Sequence, residues 1–170
     1  MDFSQLKVLI KQPRLFFEWL LRDNDVRYDF KLLVLATLIL APLYLLLFYL
    51  SGQLWLEAGV LTSLIIIYIV FVIFIILALL IYSLALFLIL KLFKAEITHN
   101  KTLQLQIYTF LPYLAIGWIP IISYIGIIYY LFLLFTGIKT ITKLTNLKTI
   151  LVMLIQLLVF VILFAVLSLL

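Results

Sequence analysis

The sequence predicts an all-α, polytopic membrane bundle of five transmembrane helices, preceded by an N-terminal amphipathic interfacial helix. The first observation is composition, because 68% of the 170 residues are hydrophobic and only 11% are charged. A soluble domain of this size cannot bury so much apolar surface. The second is that the charges fall in a few short segments between long uncharged stretches. Together these observations indicate a single membrane domain covering residues 1–170.

Residues 1–30 are predicted to be a cytoplasmic or interfacial segment. Pro13 suits the first turn of a helix. After it, Arg14, Glu18 and Arg22 recur every four residues and predict one polar stripe, with bulky apolar residues around it. Such a helix suits the head-group layer, and packing against the bundle as a cap is an equally open alternative. The predicted membrane-interface residues are Arg14, Phe16, Phe17, Trp19 and Arg22. Asp23, Asn24 and Asp25 are expected to end this helix and to cap the next.

Five uncharged stretches are long enough to be read as spans. They cover about residues 32–50, 58–90, 102–117, 121–138 and 149–170. Pro42 predicts a kink in the first span. The second span has no Gly, Pro, Asn or Asp after Gly59, so it is predicted to be one long helix rather than two short ones.

The third and fourth spans form the hairpin around which the others must fit. Residues 102–138 contain no Asp, Glu, Lys, Arg or His and would be about 55 Å long as one helix. A hydrocarbon core of about 30 Å therefore predicts a crossing, a turn and a return. The residues predicted to shape this hairpin are Pro112, Gly117, Pro120, Gly126 and Gly137.

The basic residues predict the orientation of the chain. All 12 Lys and Arg side chains precede the first span or lie in the loops at residues 91–101 and 137–148. Five spans place every one of them on one side of the membrane, whereas splitting the second span would not. The positive-inside rule therefore predicts a cytoplasmic N-terminus and a C-terminus outside.

The predicted spans contain no ionisable acid, base or metal ligand, and the chain has no cysteine. His99 is a lone histidine in a loop, where it is read as solvated. Gln156 is the costliest polar residue to leave in lipid, so it is expected to hydrogen-bond between helices or across a dimer. These features predict a protein that is not an enzyme and that has no catalytic residues, no metal site and no cofactor.

The order of the parts resembles the Yip family (Ypt/Rab-interacting proteins), small five-span membrane proteins. The likeness rests on KQPRLFFEWL before the first span, LKLFKAEITHNKTLQLQIYTFLP, IGIIYYLFLLFTGIKTITKLTNLKTILV and the bare final span. One departure is Lys94-Ala95-Glu96, where the family often has a pair of glycines. The resemblance implies a non-enzymatic, compact, prokaryote-like member. Eukaryotic members are associated with Rab GTPases and vesicle traffic, but Rab binding does not carry over to this chain.

The leading functional prediction is a membrane-organising or interaction protein of trafficking type. Expected partners are the lipid bilayer, anionic lipids on the cytoplasmic face, and a homo-oligomer or another membrane protein. No nucleic-acid module is visible. The alternative is a small transporter or channel, as a single chain or as an oligomer, because pores can be lined by backbone and hydroxyl groups. A lipid-modifying enzyme is the least favoured class.

Overall fold

The computed structural model describes residues 3–23, 25–50 and 60–168. Within them the chain forms seven helices and no strand, which confirms the predicted all-α membrane bundle. The helices are α1 (Phe3–Lys11), α2 (Pro13–Leu20), α3 (Val26–Leu50), α4 (Val60–Leu92), α5 (His99–Ile116), α6 (Pro120–Thr142) and α7 (Asn146–Ser168).

Helix α2 begins at Pro13, as predicted, and its polar stripe contains an ion pair between Arg14 and Glu18 at 3.0 Å. The next helix is capped by an aspartate, because Asp25 Oδ1 accepts a hydrogen bond from the backbone N–H of Tyr28 at 3.2 Å. The third residue of the predicted break, Asn24, lies outside the described residues.

Helix α4 is the longest helix of the described chain, with 33 residues. It continues without a break through residues 73–81, which confirms the prediction of one helix. Pro42 likewise lies inside the single helix α3.

Helices α5 and α6 form the predicted hairpin. Helix α5 ends at Ile116, where the Gly117 N–H donates the last helical hydrogen bond to Tyr113 O at 2.7 Å. The turn itself contains a hydrogen bond from Ile119 N–H to Ile116 O at 3.2 Å. Helix α6 then starts at Pro120, where a missing N–H is harmless. The middle of α5 is the centre of the bundle, since every residue in 102–109 is buried.

Three helical stretches of the described residues are long and apolar enough to cross a membrane: Val26–Leu46, Ile65–Leu92 and Ile122–Thr142. Helix α7 contributes a shorter apolar stretch, Asn146–Val159. The predicted count of five spans is therefore not confirmed. The five predicted stretches are nevertheless occupied by the five helices α3 to α7.

Candidate functional site

A fully buried carboxylate, Asp29, lies where α3 meets α5. The Asp29 side chain is 0% exposed. Its Oδ2 accepts a hydrogen bond from Gln104 Nε2 at 2.6 Å, and its Oδ1 accepts one from the Tyr108 hydroxyl. Both oxygens are thus satisfied by donors from one face of a single helix. This arrangement fastens the start of α3 to the centre of the bundle.

Helical spacing explains how these side chains meet. Asp29, Leu33 and Thr37 recur every four residues, and all three are fully buried on one stripe of α3. On α5, Gln104 and Tyr108 are also four residues apart and point to the same side. Two complementary stripes therefore bring the carboxylate to its donors.

Lys101 extends this polar site by one turn of α5. Its Nζ donates hydrogen bonds to the backbone carbonyls of Leu20, at 2.6 Å, and of Asp23. The ammonium group thereby caps the carboxyl end of α2, where carbonyl groups lack helical partners. Burial lowers the pKa of Lys101, although the negative charges of Asp23 and Asp29 act in the opposite direction.

An aromatic side chain of α2 covers the site. Phe16 packs edge-on against the Tyr108 ring, with 4.9 Å between ring centroids. Phe16 is 1% exposed and Tyr108 is also 1% exposed, so water has no direct access to the Tyr108 hydroxyl. The site is closed as long as α2 stays docked.

The expectation that no span holds an ionisable group is wrong, because Asp29 belongs to the candidate span Val26–Leu46. The predicted span began at residue 32 and so excluded it. The four-residue spacing of Asp29, Leu33 and Thr37 places all three on one helix face, and this pattern could have extended the predicted span back to Asp29. No described cation lies within ion-pair distance of Asp29. Among the described residues, no three His, Asp or Glu side chains converge as a metal site would require.

Two further polar features lie in the bundle, one between α5 and α6 and one on α7. The Tyr130 hydroxyl bonds to Gln106 Oε1 at 3.3 Å, which links α6 to α5. Gln156 on α7 is 1% exposed, and neither of its amide atoms has a hydrogen-bond partner among the described residues. It therefore faces the bundle interior rather than lipid. The interhelical hydrogen bond expected for Gln156 is not present in the described chain.

The predicted membrane-interface residues divide into two groups. Arg14, Trp19 and Arg22 are exposed, with Trp19 at 38%. Phe16 and Phe17 are instead buried in the bundle core at 1% and 0%. Their expected insertion into lipid is corrected, because α2 turns these two rings towards α5 and α6. Phe16 and Phe17 therefore follow the alternative prediction, in which this helix packs against the bundle as a cap.

The predicted hairpin residues lie at close helix contacts. A Cβ at Gly137 would lie 3.0 Å from ring carbons of Phe17, and one at Gly117 would lie 2.9 Å from the Tyr44 hydroxyl. Gly126 faces the Tyr113 ring in the same way, at 3.1 Å. Pro112 lies inside α5, and Pro120 starts α6.

The loop that departs from the family's glycine pair keeps a glycine-like backbone. Lys94 has a φ of 58°, in the left-handed region that glycine adopts most easily. The turn that ends α4 is therefore made without glycine. The same holds for Lys143, with a φ of 55°, at the end of α6.

The apolar helices, their length and the close-packed hairpin define the chain as an integral membrane protein with a helical bundle. The sequence model of the Yip1 domain matches residues 6–168. The chain belongs to the Yip1 family, which confirms the resemblance. No match is found among curated proteins or among solved structures.

Proposed function

We propose that this protein is a non-catalytic, multi-pass membrane protein that organises lipids and partner proteins at its basic side. One observation carries the proposal: every Lys and Arg side chain except Lys101 is exposed. Of these eleven cations only Arg14 forms an ion pair among the described residues, with Glu18, so ten have no acidic partner there. The exposed cations are therefore available to anionic head groups, each contributing about 1 kcal/mol.

The buried polar site supports a structural rather than a catalytic role. Both Asp29 oxygens accept hydrogen bonds, and Lys101 Nζ is held by two carbonyls. Groups engaged in this way fasten α2 and α3 to α5. The Yip1 family is not known for an enzymatic activity, which agrees with this proposal.

The lipid part of the proposal is tested by measuring which lipids copurify with the protein from mixed neutral and anionic membranes, using native mass spectrometry. We expect enrichment of anionic lipid in the wild type. Replacing Lys91, Lys94, Lys139 and Lys143 by Gln should lower the enrichment, while Arg at the same positions should preserve it. Equal lipid composition in all three proteins would contradict the proposal. The same preparation identifies a second copy or another membrane protein that stays bound.

The proposed orientation has the N-terminus and both lysine-rich loops in the cytoplasm and the C-terminus outside. Because the chain has no native cysteine, single cysteines can be labelled cleanly. Cysteines at Asn100 and Asn146 should react with an impermeant reagent from the cytoplasmic side. A cysteine at Gln53, which lies outside the described residues, should react from the outside. Labelling of positions 100 and 146 from opposite sides would refute this orientation.

A small transporter or channel is the second candidate, and Asp29 is the observation that favours it. Ionisable residues inside membrane spans commonly mark ion or proton pathways. The test is ion and proton flux into proteoliposomes. A flux that is present in the wild type and lost in Asp29→Asn would favour this candidate over the first.

A further inference from the structure

The N-terminal helices run along the bundle rather than across its end. Phe16 meets Tyr108 on α5, and four residues later Leu20 meets Lys101. Residue numbers therefore rise along α2 while they fall along the adjacent part of α5, so the two helices lie side by side and antiparallel. Helix α2 therefore covers the half of α6 that is farther from the hairpin turn, where Phe17 packs on Gly137.

Helix α1 lies on the part of α6 that is closer to the hairpin turn. The Tyr129 hydroxyl bonds to the carbonyls of Leu9, at 3.4 Å, and Ile10, at 3.3 Å. Tyr129 lies nine residues after Pro120, which is about 14 Å along α6 from its start. Lys11 follows directly and is exposed, as is Arg14. Two cations are thus held roughly halfway along a helix that is itself a candidate span.

The apolar surface open to lipid is consequently unequal on the two sides of the molecule. On α6 the exposed large apolar side chains run without an intervening charge from Ile122 to Phe132, a height of about 15 Å. Beyond Phe132 the outer surface is formed by α1 and α2, where exposed apolar side chains such as Ile10, Leu15 and Trp19 alternate with the charged Lys11, Arg14 and Glu18. On α4 they run from Ile65 to Leu88 before the first charge, Lys91, a height of about 35 Å. The hydrocarbon core of a bilayer is about 30 Å thick, so the charge-free apolar surface is too short on the α6 side and slightly too tall on the α4 side.

We infer that the head-group layer on the basic side of the membrane is drawn inward against α6, where anionic phospholipid head groups bind Lys11 and the terminal amino groups of Arg14, whose Nε pairs with Glu18. The bilayer is then thinner beside α6 than beside α4. Charged side chains in hydrocarbon are costly, whereas local thinning and contact with anionic phosphate remove that cost. This inference deepens the proposed function, because it locates the surface on which lipid is organised.

Two positions at one height on opposite sides of the bundle test the inference. Tyr44 contacts both Leu114 O on α5, at 3.2 Å, and the Phe71 ring on α4, with 6.0 Å between centroids. Gly126 on α6 packs beside Tyr113 of the same α5 turn. Phe71 and Gly126 therefore lie at about the same height along the bundle axis. Three residues further towards the basic end of each helix are Phe74 on α4 and Tyr129 on α6, which accordingly also lie at about the same height. Gln12, next to Lys11, is exposed at the Tyr129 level and can carry a probe without removing a charge.

The experiment places a nitroxide label at Gln12→Cys or at Phe74→Cys in vesicles of phosphatidylcholine with phosphatidylglycerol. Collisions with oxygen report hydrocarbon, and collisions with a water-soluble nickel chelate report the head-group region. We expect several-fold more nickel collisions at position 12 than at position 74. Equal, oxygen-dominated values would overturn the inference, because the N-terminal hairpin would then lie in undisturbed hydrocarbon.

A charge variant distinguishes the inference from the wider proposal. Lys11→Ser with Arg14→Ser should lower nickel access at position 12, and Lys139→Ser with Lys143→Ser, at the far end of α6, should leave it unchanged. A label unaffected by the first pair would overturn the role of these two cations. Unequal depth at positions 12 and 74 without any anionic-lipid enrichment would leave the thinning intact and contradict the proposed function. Intrinsic Trp fluorescence of each variant verifies that the bundle is folded.

Discussion

Removing the Asp29 carboxylate should loosen the joint between α3 and α5. In Asp29→Ala, the Gln104 amide and the Tyr108 hydroxyl each lose a buried acceptor. An unsatisfied buried polar group costs about 1–3 kcal/mol, so the free energy of unfolding should fall by about 3–5 kcal/mol. Asp29→Asn keeps the shape and can still accept from one donor and donate to the other. Its cost should be about 1–2 kcal/mol, the difference between charged and neutral hydrogen bonds.

The assay is unfolding by denaturing detergent, followed through the fluorescence of the three Trp residues. Tyr108→Phe supplies the matched control, because it removes one donor and keeps the ring that packs on Phe16. The double variant with Asp29→Ala should be less destabilised than the sum of the two single variants, by about 0.5–3 kcal/mol. Asp29→Ala with wild-type stability would refute the reasoning. Asn as damaging as Ala would show that the negative charge itself, rather than the hydrogen bonds, holds the joint.

Three further substitutions test the packing of the bundle in the same unfolding assay. Phe16→Ala should lower the free energy of unfolding by about 3–5 kcal/mol because the ring is buried. Trp19→Ala, on the exposed side of α2, should lower it much less, and equal losses would contradict the packing of α2. Gly137→Ala should cost about 1–3 kcal/mol, because its new methyl group would press first on the Leu105 side chain and then on the Phe17 ring. Gly126→Ala should cost less because its nearest neighbour is farther away, and the reverse order would contradict the hairpin packing. Lys94→Gly should raise the free energy of unfolding by up to about 1 kcal/mol, because glycine adopts the left-handed backbone of this position without steric strain. A loss of stability would show that contacts of the lysine side chain outweigh that strain.

The sequence alone determined the class of protein and the positions of its long helices. Uncharged stretches of 16 to 33 residues are a strong signal, because no water is available to backbone groups in a bilayer and only a helix satisfies them within one segment. The unbroken α4 follows from the lack of any turn-forming residue after Gly59. The hairpin turn follows from Gly117 and Pro120, whose backbone properties act locally.

Only the tertiary structure decided which side chains face one another. The periodicity of α2 gives it an apolar face but does not say whether lipid or protein covers that face, since both are equally apolar partners. The packing of Phe16 on Tyr108 and of Phe17 on Gly137 shows that protein, not lipid, covers that face. Asp29 is similar. Its place near the start of α3 suggests a solvated acid, and only its contact with Gln104, 75 positions further along the chain, makes it a buried one. Such contacts join residues far apart in the chain, so local sequence patterns cannot specify them.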